Sequence, residues 1–192
     1  PTVLYDGSTY HMWYTGENGT NYRIGYATSP DGITWTKNAA NPVLDIGPPG
    51  SWDDTHVYTP MALYDGITYR MWYSGYDGTN CRIGYATSSD GVAWTKSATN
   101  PVLDIGPPGS WDDLHVDTPT VLYDGITSTY HMWYTGYDGT YIRLGYAKSP
   151  DGINWKKIPS EVLDAYEVTE IISGSFYKID LDVPTTLDLD LF

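Results

Sequence analysis

VLYDGSTYHMWYTGENGTNYRIGYATSPDGITW, residues 3 to 35, returns as ALYDGITYRMWYSGYDGTNCRIGYATSSDGVAW at residues 62 to 94. It returns again as VLYDGITSTYHMWYTGYDGTYIRLGYAKSPDGINW at residues 121 to 155. Aligning residues 4–60 with 63–119 gives 57 pairs, 44 identical and 13 different, so one structural unit is used repeatedly. The third copy carries two extra residues, Ser128 and Thr129. Within each unit, β-branched and aromatic runs alternate with Gly, Asn, Asp and Pro, and no stretch has helical period or length. In the first copy the strands read as Thr2–Tyr5, Tyr10–Thr15, Tyr22–Thr28 and a short one at Thr34–Thr36. Four short antiparallel strands in a unit of this length describe a propeller blade, and a β-helix would need a much shorter period.

Between the third and fourth strands lies Ser29-Pro30-Asp31-Gly32-Ile33-Thr34-Trp35, repeated at Ser88–Trp94 and Ser149–Trp155. Asp can accept from amides of its own turn, Gly can take positive φ, and Trp can pack over the hairpin. The turn resembles the sialidase Asp-box but has one residue fewer between Asp and Gly. Taken together, Pro-x-Val-x-x-Asp-Gly, Tyr-x-Met-Trp-Tyr-x-Gly, Ile-Gly-Tyr-Ala-Thr-Ser-x-Asp-Gly and Asn-Pro-Val-Leu resemble glycosidase-like β-propeller repeat proteins. They also resemble the five-bladed arabinanase, xylosidase and fructosidase clan of glycoside hydrolases. The resemblance covers residues 1 to about 164. It implies an all-β fold of three blades, at about 1–58, 59–117 and 118–164, related by rotations about one axis.

Residues 165–192 leave the repeat. Ile179–Val183 and Leu187–Leu191 alternate apolar and acidic residues around Pro184-Thr185-Thr186 and read as two half-buried strands of a non-repeat β tail. Three blades do not close a ring, and open ends leave strand edges and apolar faces uncovered. The chain therefore reads as a fragment of a longer propeller, or else as half of a ring closed by a homo-oligomer.

The most closely kept linker is GPPGSWDDTHVYTP, residues 47–60, which recurs as GPPGSWDDLHVDTP, residues 106–119. It changes at two places: Thr55 becomes Leu114, and Tyr58 becomes Asp117. Gly47-Pro48-Pro49-Gly50 sets a stiff turn, Trp52 can plug the space between blades, and Asp53 and Asp54 can cap loop amides. By the resemblance, this linker leads to the mouth of a central funnel, where catalytic acids of the clan sit. That implies Asp117 as the catalytic candidate and His56, Tyr58, His115 and Asp117 as ligand-binding candidates.

Glycoside hydrolysis uses two carboxyl groups roughly 5–10 Å apart, one kept protonated as the acid. None of Glu17, Glu161, Glu167 and Glu170 falls on an inner strand, so Asp117 cannot make a hydrolytic pair within this chain. The expected function is therefore a carbohydrate-active, glycoside hydrolase-like propeller, inactive or incomplete as this chain. The alternative is a non-catalytic propeller that binds glycans or proteins at a cell surface, which would place it outside the cell.

Composition narrows the partners. Asp and Glu number 24 against 10 Lys and Arg, a net charge of −14, which argues against nucleic acid. With 19 Tyr and 8 Trp against 2 Phe, the aromatic side chains pair apolar rings with polar edges, as strands and sugar-binding surfaces both require. No apolar run is long enough to span a membrane. No cofactor is expected; a bound cation held by His56, His115 and nearby Asp is the minor alternative. The single cysteine, Cys81, stands where the other copies have Tyr22 and Ile142 and reads as a packing residue.

Overall fold

A computed structural model describes residues 1–159; the proposed β tail and Glu161, Glu167 and Glu170 lie outside the described residues. Twelve strands are formed in chain order and no helix occurs among the described residues. The first blade holds β1 (Thr2–Tyr5), β2 (Tyr10–Glu17), β3 (Tyr22–Ser29) and β4 (Thr36–Lys37). The second holds β5 (His56–Tyr64), β6 (Tyr69–Tyr76), β7 (Cys81–Ser88) and β8 (Thr95–Lys96). The third holds β9 (His115–Asp124), β10 (Thr129–Tyr137), β11 (Ile142–Ser149) and β12 (Lys156–Ile158). Each blade is an antiparallel meander, and one parallel pairing, Cys81 with His115, joins the second blade to the third.

The second strand runs further than its apolar pattern suggests, because Gly16 and Glu17 still pair with Arg23 and Tyr22. It ends where the Asn18 carboxamide oxygen accepts the amides of Thr20 and Asn21. The fourth strand starts later than expected. Trp35 belongs to the turn before it, donating its indole N–H to the Gly32 carbonyl at 3.2 Å. Asp31 accepts the Ile33 and Thr34 amides at 2.8 and 2.7 Å, the role its motif implied.

Two apolar cores lie between successive blades. The first gathers Trp13, Ile24, Tyr26 and Leu44 against Val57, Ala62, Met71 and Tyr73. The second repeats it with Trp72, Ile83, Tyr85 and Leu103 against Val116, Val121, Met132 and Tyr134. At each centre a fully buried Trp satisfies its N–H on the next blade's turn: Trp13 on the Gly91 carbonyl and Trp72 on the Gly152 carbonyl, both at 2.8 Å. A buried indole N–H without such an acceptor would be costly, so the turn glycine sets the docking register.

The linker supplies the second element of the joint. Trp52 packs on Tyr73 with ring centroids 5.7 Å apart, and Trp111 repeats this on Tyr134 at 5.8 Å. A methyl group on Gly84 would come within 2.6 Å of Trp52 Cη2, so glycine there is what lets the indole lie on the sheet. Of the two linker aspartates, only Asp54 caps an amide with its side chain, that of Gly50 at 2.6 Å. Asp53 instead is buried and accepts from Lys96 Nζ at 2.6 Å, with Tyr73 and Ser51 hydroxyls as further donors. Asp112, buried in the same way, repeats the pairing with Lys157 at 2.7 Å, the lysine in each case being half-buried. Two neighbouring acids of like sequence thus part ways because one side chain points into the sheet and meets a strand lysine.

Candidate functional site

β5 and β9 both begin His-Val-x-Thr-Pro. Proline has no N–H to give a strand, and the pairing slips between Tyr58 and Met61. The residue before each proline, Thr59 or Thr118, takes a left-handed φ, 46° and 48°. For β-branched residues that costs about 1–3 kcal/mol and needs surrounding bonds to hold it. A run of hydroxyls does so. The Thr59 amide donates to Thr15 Oγ1 at 2.9 Å, and the Thr59 and Ser74 hydroxyls meet at 2.6 Å. The Thr118 amide then donates to Ser74 Oγ at 3.0 Å, and the Thr118 and Thr135 hydroxyls meet at 2.5 Å.

This bulge turns the residues before it toward one another. Tyr58 and Asp117, which occupy the same place in successive blades, meet with the phenol donating to Asp117 Oδ2 at 3.4 Å. The same phenol lies 2.9 Å from Cys81 Sγ. Thr118 Oγ1 donates to the other carboxylate oxygen of Asp117 at 3.3 Å. Burial, aided by the Cys81 and Asp117 neighbours, holds the Tyr58 phenol far above its ordinary range. Burial also pushes the Cys81 thiol up to about 11, so it stays protonated and is no nucleophile at neutral pH.

The histidines are placed differently. His56 Nδ1 accepts the Tyr22 amide at 3.2 Å, and His115 Nδ1 accepts the Cys81 amide at 3.0 Å. Each therefore latches its own blade to the edge of the preceding one, and the neutral ring carries its proton on Nε2. Beside each latch an asparagine amide closes the same seam, Asn21 on the Thr55 carbonyl and Asn80 on the Leu114 carbonyl. Around the histidines runs a belt of rings from Tyr22 through His56, Tyr76 and His115 to Tyr137, with successive centroids 4.7, 5.7, 6.1 and 5.6 Å apart. Tyr22 also lies 6.3 Å from Tyr58.

All four sequence candidates thus fall in one neighbourhood, Tyr58 and Asp117 in direct contact and the histidines as latches beside them. Sequence reading missed Tyr22, Tyr76, Tyr137 and Ser74, and gave Cys81 a packing role without its bond to Tyr58. One signal was present: Tyr22/Cys81 and Tyr58/Asp117 are both among the 13 columns that change between copies, and those columns touch. Among the described residues no three His, Cys, Asp or Glu side chains converge as metal ligands. A cleft of about 310 Å³ at Thr99, Pro101, Val102 and Trp155 shares no residue with this cluster and brings no titratable group except Lys156.

Burial raises the Asp117 carboxyl above its ordinary value, against the pull of Thr118, His115 and Tyr58. The folded chain then binds this proton more tightly than the unfolded one. Between the ordinary aspartate value of about 3.9 and the raised one, folding takes up a proton. Stability contributed here is present below that window and is lost as pH rises through it. Asp117→Asn should therefore gain stability relative to wild type as pH rises through the window and hold the gain above it. Urea unfolding of both proteins at several pH values measures this, and a difference independent of pH contradicts it.

Comparison with known proteins adds to this geometry. The model of the glycoside hydrolase 130 family, beta-1,4-mannooligosaccharide phosphorylase, matches residues 67–179, more than half of the chain. An uncharacterized protein of Mycobacterium tuberculosis is 36% identical over 130 residues, 64% of this chain and 41% of that protein. The A type blood N-acetyl-alpha-D-galactosamine deacetylase of Flavonifractor plautii is 28% identical over 152 residues, 70% of this chain and 20% of that protein. The chain therefore spans less than half the length of either relative. Zg3597, a family 117 glycoside hydrolase of the marine bacterium Zobellia galactanivorans, superposes with a TM-score of 0.71 at 19% identity, covering 82% of this chain and 54% of that one. That likeness shows the fold: these are blades of a glycosidase-type propeller.

Proposed function

The chain belongs to the glycoside hydrolase 130 family, beta-1,4-mannooligosaccharide phosphorylase, and from that premise we propose that it is the glycan-facing part of a carbohydrate-active propeller with Asp117 as its proton donor. The observation that supports this most is the half-buried Asp117 carboxyl, raised by desolvation and set against Tyr58 at the bulged start of β9. A raised carboxyl is suited to protonate a leaving glycosidic oxygen. In a phosphorylase, phosphate itself attacks the anomeric carbon, so one carboxyl group suffices where hydrolysis uses two. That no glutamate lies on an inner strand among the described residues then counts against hydrolysis and not against phosphorolysis.

Phosphate needs a cradle of cations, best supplied by arginine. All four arginines are already held by aspartates: Arg23 by Asp45, Arg70 by Asp65, Arg82 by Asp77 and Asp104, and Arg143 by Asp138. On this reading the three blades bind the glycan and carry the acid, while the phosphate cradle needs cations other than these paired arginines. A second reading, a glycan- or protein-binding module without catalysis, is favoured by the near-identity of the repeats and by the deacetylase relative, of which the matched blades are one fifth.

The test uses mannooligosaccharides with and without inorganic phosphate, an aryl furanoside, and calorimetry on wild type and Asp117→Ala. Binding without turnover is expected. Asp117→Ala should weaken that binding by about 1–3 kcal/mol, the cost of a lost hydrogen bond in a partly desolvated site. Phosphate-dependent turnover abolished by Asp117→Ala would establish the full activity. Binding unchanged by Asp117→Ala would leave the module reading and remove Asp117 from the site.

A further inference from the structure

β5 and β9 carry different side chains at one equivalent point, and a second change accompanies the first. Where the second blade has Tyr58 and the third has Asp117, the edge strand of the preceding blade has Tyr22 and Cys81 respectively. At the first seam Tyr22 is 39% exposed, and its ring stands 6.3 Å from that of Tyr58. At the second seam Cys81 is only 6% exposed, and the Tyr58 phenol oxygen is 2.9 Å from its Sγ and 3.4 Å from Asp117 Oδ2. A side chain longer than cysteine has no room on that line, so the small thiol lets the phenol reach the carboxylate. The phenol has one hydrogen and two neighbours. A carboxylate is a strong acceptor and sulfur a weak one, so the hydrogen goes to Asp117 and the thiol donates to the phenol oxygen. The other oxygen of Asp117 takes the Thr118 hydroxyl at 3.3 Å.

We propose that Tyr58 is a positioning residue for Asp117: with Thr118 it holds the carboxylate that remains once the proton has left, and Cys81 sets the phenol in place. This rests on the reading of Asp117 as the proton donor. An acid that gives up its proton in a half-buried site leaves a charge there, and burial makes that charge costly. Two hydroxyl donors, one on each oxygen, offset the cost and strengthen as charge collects. Burial keeps the phenol and the thiol protonated, so both remain donors throughout and neither exchanges a proton with the glycan. The other groups around Asp117 do not share this role. His115 faces the carboxylate from β9, with the rings of Tyr76 from β6 and Tyr137 from β10 beside it. Near Cys81, Asp77 and Arg82 pair at 2.7 Å and act on the thiol in opposite directions. Replacing Tyr58 by Phe therefore removes a donor without changing any charge.

The carboxyl resonance of Asp117 in the isotope-labelled whole chain, followed against pH without glycan, tests this. Tyr58→Phe should move the Asp117 titration up by about one pH unit, a tenfold tighter hold on the proton, as expected for losing a hydrogen bond to a charged group. Cys81→Ala should move it the same way by less. Cys81→Ser, which keeps a small donor, should return it toward the wild-type midpoint. A role in packing alone would leave the titration where it is. An unmoved or lowered midpoint in Tyr58→Phe, with the near-ultraviolet dichroism spectrum unchanged, would overturn the proposal. Should Tyr58→Phe fail to fold, the two Cys81 variants decide, and equal midpoints in both would overturn it. Calorimetry with a mannooligosaccharide is a separate arm. Binding indifferent to Asp117→Ala, with the Tyr58→Phe shift intact, would refute the glycan reading and uphold the link between Tyr58 and Asp117.

Discussion

Trp72→Ala is expected to lose about 3–5 kcal/mol of stability, the usual range for deleting a fully buried large aromatic side chain. Trp72 fills the joint between the second and third blades, with Tyr85, Tyr130 and Trp155 rings within 5.4 to 6.2 Å of it. Removing it opens a cavity and also leaves its share of the Gly152 carbonyl unsatisfied. Trp133→Ala, the same change at the same place in the repeat, should cost less than half as much, because Trp133 is half-buried where Trp72 is fully buried. The comparison isolates burial from residue identity, since sequence context around the two tryptophans is nearly the same. Urea-unfolding midpoints with unchanged slopes provide the measurement. Equal losses at both positions would mean that the joints are not what holds the blades together.

Lys96→Met should cost about 3 kcal/mol, at the low end for breaking a buried pair because Tyr73 and Ser51 still donate to Asp53. The lysine's loss leaves a buried carboxylate without its cation, and that uncompensated charge is the larger part of the effect. The double change Asp53→Leu with Lys96→Met removes both charges and should recover most of the stability. Lys157→Met should act in the same way through Asp112. A single Lys96→Met that costs nothing, or a double variant worse than the single one, would show that the pair is not electrostatically coupled.

Much of the fold was legible because its grammar is local. Strand runs and Asp–Gly turns are set by residues close in sequence, and three copies of the same pattern leave little room for another architecture. The fourth strand was misplaced by two residues because Trp35 could serve either a strand or a turn, and only its bond to the Gly32 carbonyl decides. Asp53 was misread for a related reason: its partner Lys96 lies 43 residues away, and no local signal links them.

The candidate site was half legible. The change from Tyr58 to Asp117 stood out against a nearly constant linker, and the structure brings those two residues together. The histidines read as candidate ligand contacts, but their Nδ1 atoms are taken by backbone amides of the neighbouring blade. That pairing is invisible in sequence because it joins residues 34 apart across a seam. The ring belt was hidden by abundance: with so many tyrosines in strands, Tyr22, Tyr76 and Tyr137 had nothing to set them apart until their centroids could be measured.

The central claim is that glycan is handled beside Asp117. The most direct measurement is nuclear magnetic resonance of the labelled chain titrated with a mannooligosaccharide. The account predicts that the largest shifts fall at His56, Tyr58, Cys81, His115 and Asp117, and that Asp117→Ala diminishes them. Shifts confined to the cleft at Pro101, Val102 and Trp155, or no shifts at millimolar glycan, would contradict it.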